Sequence, residues 1–129
     1  MKMIKLFLLS ACFFIAIPML TAQSVEVPSE IITALNNGNA NQLSNYLNSN
    51  VELFIENKSD VYSKSQAREI ITDFFRKNHI TGFQLLHKGN KDAASFAIGT
   101  LKTTTGSFRL YVLTRKNEIQ QLRIEPSND

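Results

Sequence analysis

Cysteine is nearly absent from this chain: Cys12 is the single one, and it lies in an N-terminal apolar run. The chain beyond it has no disulfide and no reactive thiol, so its stability must come from an apolar core. The five glycines, Gly38, Gly82, Gly89, Gly99 and Gly106, are dispersed. That excludes a phosphate loop and a dinucleotide fingerprint, which both need glycines grouped in one strand-to-helix turn. No Gly-x-Ser-x-Gly nucleophile elbow occurs either. The two histidines, His79 and His87, have no cysteine partner and no helical His-Glu pair, so no built-in metal site and no cofactor is expected. A charge excess of one sign is lacking too. The 14 basic and 11 acidic residues are scattered, and without a basic patch nucleic acid is not an expected partner.

What is present begins with an address. Met1-Lys2-Met3-Ile4-Lys5, the apolar run Leu6 to Leu20 and then Thr21-Ala22-Gln23 read as a secretory signal peptide cut after Ala22. Leu9-Ser10-Ala11-Cys12 matches a lipobox, which would make Cys12 a lipidated N-terminus. Its context is unfavourable: the apolar stretch before it is short, and apolar Phe13 to Leu20 would follow where a polar tether belongs. The run is interrupted by Pro18 and falls short of the roughly 20 apolar residues that span a bilayer. The expected organisation is a signal peptide at 1–22, a polar leader at 23–27, a single α+β domain at 28–126 and a tail at 127–129. The processed form is expected to be exported, periplasmic or secreted, and not membrane-spanning. Losing Lys2 and Lys5 leaves 12 basic residues against 11 acidic ones, a net charge of +1.

Periodicity then predicts the elements. Pro28-Ser29-Glu30 opens a helix whose buried stripe is Ile31, Ile32, Ala34 and Leu35, closed by Gly38 in the left-handed conformation. A second short helix is predicted over Asn39 to Leu47, capped by Asn39, with Leu43, Tyr46 and Leu47 on one side. Val51, Leu53 and Ile55 alternate with Glu52, Phe54 and Glu56 as a strand does, and Asn57-Lys58-Ser59-Asp60 reads as a turn. A long amphipathic helix runs from about Ser65 to Asn78 on Ala67, Ile70, Ile71, Phe74 and Phe75. Four strand-like runs follow, at about 82–88, 93–103, 107–115 and 119–125. The order α-α-β-α-β-β-β-β describes an α+β fold with helices on one face of a curved, mostly antiparallel sheet.

Turn lengths set the expected strand register. A two-residue turn at Asn90-Lys91 pairs Leu85 with Phe96 and His87 with Ala94. Three-residue turns at Thr104-Thr105-Gly106 and Lys116-Asn117-Glu118 pair Ile98 with Val112, Val112 with Leu122, Leu110 with Ile124 and Arg109 with Glu125. The expected core face is then Phe83, Leu85, His87, Phe96, Ile98, Thr100, Phe108, Leu110, Val112, Leu122 and Ile124. The opposite face mixes Leu86, Ala97, Leu101, Tyr111 and Leu113 with Gln84, Lys88, Arg109, Gln121, Arg123 and Glu125. Sparse charge and a central tyrosine suit that half-apolar face to self-association.

At this point the chain resembles the nuclear transport factor 2-like (cystatin-like) superfamily, whose cone shares this order of elements. More narrowly, Ala34-Leu35 with Gly38-Asn39-Ala40, Ser63-Lys64-Ser65-Gln66-Ala67, Asp73-Phe74-Phe75 and His87-Lys88-Gly89 are similar to the domain of unknown function 4783 family. Ile98-Gly99-Thr100-Leu101, Gly106-Ser107-Phe108-Arg109 and Leu122-Arg123-Ile124-Glu125 extend that likeness over the domain. The resemblance implies a small exported bacterial protein and supplies no established site. The wider superfamily includes ketosteroid isomerase-like and polyketide cyclase-like enzymes beside many non-catalytic members, so the fold does not choose an activity.

His87 is the sharpest candidate for chemistry, because alternation puts it on the core face near a hairpin end. A general base needs an orienting partner, and Glu52, Glu56, Glu69, Asp73 and Glu125 all fall away from it. Tyr46 and Tyr62 could offer hydroxyls, and a pocket lined by His87, Thr100, Tyr46 and Phe83 would suit isomerase, dehydratase or cyclase chemistry on a small apolar substrate. A histidine satisfied by backbone or water, and tyrosines that pack a ring, are the plainer readings. Leu101, Tyr111, Leu113, Arg109 and Arg123 are the expected interface. The function expected is a non-catalytic module that binds a small ligand or protein partner, as a homodimer through the outer sheet face.

Overall fold

The computed structural model describes residues 25–127. The signal peptide, Cys12, the start of the leader and Asn128-Asp129 lie outside them. The elements are α1 (Ser29–Asn37), α2 (Ala40–Ser44), β1 (Leu47–Ile55), β2 (Lys58–Ser63), α3 (Lys64–Lys77), β3 (Ile80–Lys91), β4 (Ala94–Thr103), β5 (Gly106–Arg115) and β6 (Glu118–Pro126). The strands form one six-stranded sheet in the order β2-β1-β6-β5-β4-β3. Only β1 and β6 run parallel; the other neighbours are antiparallel.

Local chemistry fixes the helices. Gly38 closes α1 at φ 63° and donates its amide to the last turn. It is demanded twice, since a Cβ there would stand 2.8 Å from Cβ of Ile80. Asn39 caps α2, its side-chain oxygen accepting from the Gln42 amide at 3.0 Å. A capping box starts α3: Ser63 Oγ accepts from the Gln66 amide at 3.2 Å, and Gln66 Oε1 accepts from the Ser63 amide at 3.1 Å. At the other end Asn78 donates to the Phe74 carbonyl and accepts from the Thr105 hydroxyl. The end of α3 is thus tied to the β4–β5 turn.

The helices lie on one sheet face and enclose Ile31, Leu35, Leu43, Leu53, Ile71, Phe74, Leu110, Val112 and Leu122, all essentially fully buried. The expected α+β architecture stands, with one strand added. Residues 58–63, expected to begin as a turn, form β2 on β1 after a tight turn at Glu56-Asn57. That strand is a sheet edge with four exposed residues of six. It therefore carries no alternating apolar signal.

Two of the expected turns are displaced, and each displacement has consequences. The β3–β4 turn is Asp92-Ala93, both at positive φ, rather than Asn90-Lys91. The β4–β5 turn is the two residues Thr104-Thr105, because Thr103 pairs with Gly106. Ile98 therefore faces Tyr111 instead of Val112. A one-residue slip turns a strand over, so Ala97, Gly99 and Leu101 point to the helices while Phe96, Ile98 and Thr100 point away. A bulge between Leu85 and His87 pairs Leu85 with Gly99 and His87 with Ile98, which turns His87 outward as well. By contrast the expected β5–β6 pairs are found. There a two-residue turn at Lys116-Asn117 and a bulge after Leu113 together take up the three residues expected in the turn.

Glycines explain why β4 sits this way. A Cβ on Gly99 would collide with the Phe83 ring and the Gln84 carbonyl, and one on Gly89 would stand 2.8 Å from Cζ of Phe96. Each glycine has a phenylalanine ring laid over it, Phe83 on the helix side and Phe96 on the far side. Ring and glycine lock β3 to β4 in a register that turn length alone does not reveal.

Candidate interaction face

The sheet face turned away from the helices carries two cross-strand rows. Following the pairing from β1 through β6, β5 and β4 to β3, the first row is Phe54, Arg123, Tyr111, Ile98 and His87. The second is Glu52, Gln121, Leu113, Phe96 and Gly89. Phe54, Phe96, Ile98, Tyr111 and Leu113 are each half-buried by their neighbours on the sheet. Tyr111 stacks on Phe96 with ring centroids 6.2 Å apart, and His87 tilts against Phe96 at 5.7 Å. Arg123 holds its guanidinium carbon 4.2 Å from the centre of the Phe54 ring and donates to Glu125 at 3.1 Å. Gln121 donates to Glu52 at 3.1 Å. The centre of the face is thus aromatic and aliphatic, and polar pairs sit at its β1–β6 side, the composition of an interface core with a polar rim.

The expected pocket residues do not assemble. His87 is exposed and Thr100 half-buried on this outer face, whereas Phe83 packs against the core on the helix side. Tyr46 and Tyr62 also pack against the core, and the Tyr46 carbonyl accepts from the Ile119 amide at 2.6 Å. His87 on β3 and Tyr62 on β2 stand at opposite edges of the sheet, and among the described residues the His87 side chain makes a ring contact and no hydrogen bond. Of the expected interface residues, Tyr111, Leu113 and Arg123 do meet, with Arg109 exposed beside them. Leu101 does not belong: it is fully buried on the helix side because β4 is turned over. Phe96 and Ile98 take its place, and Phe54 completes the patch. Phe54 was legible as an aromatic alternating outward between Glu52 and Glu56.

The strongest local electrostatics lie elsewhere. On α3 the Lys77 ammonium, hydrogen-bonded to Asp73, holds that carboxyl below its ordinary value, and the same bond raises Lys77. Arg76 adds a second contact to Asp73 at 2.9 Å. Among the described residues no group of three His, Cys, Asp or Glu could hold a metal ion, and no helix is long and apolar enough to cross a membrane.

Helices on one face of this curved sheet define a nuclear transport factor 2-like fold. A putative polyketide cyclase from Sinorhizobium meliloti shares it at 8% identity and TM-score 0.58, covering 74% of this chain and 90% of that one. Such a distant likeness shows the fold alone. The particular family is shown by sequence: residues 28–125 match the model of the domain of unknown function DUF4783, and the chain belongs to that family. A DUF4783 family protein from Bacteroides ovatus is 36% identical over 82% of this chain and 100% of its own, with a TM-score of 0.76. Another, from Bacteroides uniformis, is 34% identical over 80% and 99%, with a TM-score of 0.75. No functionally curated protein matches the chain.

Proposed function

We propose that this chain is a non-catalytic exported module that works by association, and that its first partner is a second copy bound through the outer sheet face. The observation that carries this reading is the outward placement of Phe54, Phe96, Ile98, Tyr111 and Leu113, away from the helices. A chain that needed these side chains only for its own core would turn them inward, because burying a large apolar side chain stabilises by about 1.5–3 kcal/mol. A second copy presenting the same rows is self-complementary about a two-fold axis. Stable pairs bury about 800 Å² on each partner, an area a six-stranded sheet face can supply.

Sedimentation velocity on the exported, processed chain tests this. The native chain is expected to be a dimer, and Tyr111→Glu combined with Leu113→Lys is expected to be a folded monomer. A native chain that is monomeric at tens of micromolar removes the homodimer. Mass spectrometry on the chain produced in a bacterial host from its full-length sequence, with periplasm and medium separated from cells, reports where it starts, expected at Gln23. A chain that stays inside the cells with Met1 intact would remove export.

A further inference from the structure

On the opposite side of the sheet, between α1 and the outer edge of β3, lies a cleft of about 240 Å³. Its apolar wall is Val27, Ile32, Leu85 and Ala97, and its cation is Lys88. Leu85 faces this side yet stays 40% exposed. Glu26 and Val27 line the cleft, with Val25 just before them. Glu26 pairs with Lys88 at 3.4 Å, the Asn90 side chain donates to the Val25 carbonyl at 2.8 Å, and Val27 packs against the core. Two neighbouring cavities, of about 230 and 540 Å³, share Val25–Val27 as a wall. Three separate hollows thus border one short segment.

We propose that this cleft binds a small carboxylate carrying an apolar chain, and that Val25–Val27 is a displaceable strap whose Glu26 and Val27 hold the places such a ligand would take. The ligand chemistry is read from the strap itself, which offers Lys88 a carboxylate beside an aliphatic side chain. The Glu26–Lys88 pair itself resists displacement little, because both members are more than half exposed and exposed pairs contribute little. The ligand must also replace the Asn90 bond to Val25, the packing of Val27 and a further contact of Glu26. Withdrawal of Glu26 and Val27 enlarges the cleft toward the range of roughly 300–1,000 Å³ in which ligand sites fall. The site is independent of the outer face, and a monomeric chain would retain it.

Titration of the isotope-labelled chain with octanoate and, separately, with the blocked tripeptide Val-Glu-Val, followed by amide shifts, tests the proposal. Saturable shifts are expected over residues 85–90 and at Ala97. Affinity is expected to rise about two- to fivefold in Glu26→Gln, the weight of one exposed ion pair, and binding is expected to vanish in Lys88→Glu. Lys88→Gln, with weakened binding and an unaltered spectrum elsewhere, separates lost charge from lost fold. The tighter of the two probes assigns the source as a lipid-derived acid or a peptide. Absence of saturable shifts with both probes, shifts that survive Lys88→Glu, or equal affinity in the native chain and Glu26→Gln would each overturn it.

Discussion

Ala93 occupies the left-handed region at φ 68° in a turn where its neighbour Asp92 does the same. Turns of that kind favour glycine at the second position, because a Cβ crowds the following carbonyl. Ala93→Gly is expected to stabilise the fold by about 0.5–1 kcal/mol, glycine's extra freedom in the unfolded chain offsetting part of the relief. A urea melt with a raised midpoint and unchanged slope would show it. Gly99 makes the opposite case: a methyl there meets the Phe83 ring and a backbone carbonyl. Gly99→Ala is expected to cost about 1–3 kcal/mol, the usual penalty of overpacking, and a neutral result in the same melt would mean that β3 and β4 are not locked as described. Ala93 and Gly99 show why single residues hide the register of the meander. Gly99 looks like a weak strand residue until its ring partner is known, and Asp92-Ala93 lacks the Asn-Gly signature of its turn. Gly38, whose neighbours Ala34 and Leu35 complete a helix stripe, announced itself.

At the scale of elements, what was legible had local causes. Both caps that close or open α1 and α2 are side-chain or backbone preferences acting within four residues, and α3 carries an unbroken apolar stripe. Its capping box fixes the start at Lys64, and Ser63→Ala is expected to cost about 1 kcal/mol by losing the cap, measurable as a lowered melting temperature. The wet side of α3 makes a pH prediction. Asp73 has a folded pKa below its ordinary value, so its contribution is present above the unfolded carboxylate value of about 3.9 and fades as pH falls through the folded one. Asp73→Asn is therefore expected to lower stability slightly near neutrality, the pair being exposed, and to flatten the acid limb below about pH 4 by the same small amount, the two curves converging in acid. An acid limb as steep as the native one would show that the Lys77 and Arg76 contacts do not hold in solution. The hairpins were less legible, because two turn lengths were compatible with the same apolar letters. The β5–β6 register alone follows from the apolar letters, since a bulge there adds back the residue that the shorter turn removes.

For the whole molecule, the turned-over β4 decides both the core and the candidate partner surface, and one pair of substitutions separates the alternatives. Ile98 lies outward among Tyr111 and His87, and Leu101 lies fully buried beneath the helices. Leu101→Asp is expected to unfold the chain, because an unpaired carboxylate in that core costs several kcal/mol against a total stability of about 5–15 kcal/mol. Ile98→Asp is expected to keep the fold, seen as native amide dispersion and a melting temperature within a few degrees, and to convert a dimer to a monomer in sedimentation. The register expected from turn length alone puts Ile98 in the core and Leu101 outside, so it requires the reverse pattern. Unfolding by Ile98→Asp together with tolerance of Leu101→Asp would remove the outer aromatic face and the association reading built on it. A folded Ile98→Asp that remains a dimer would keep the register and move the partner surface elsewhere, to the sheet edges at β2 or β3.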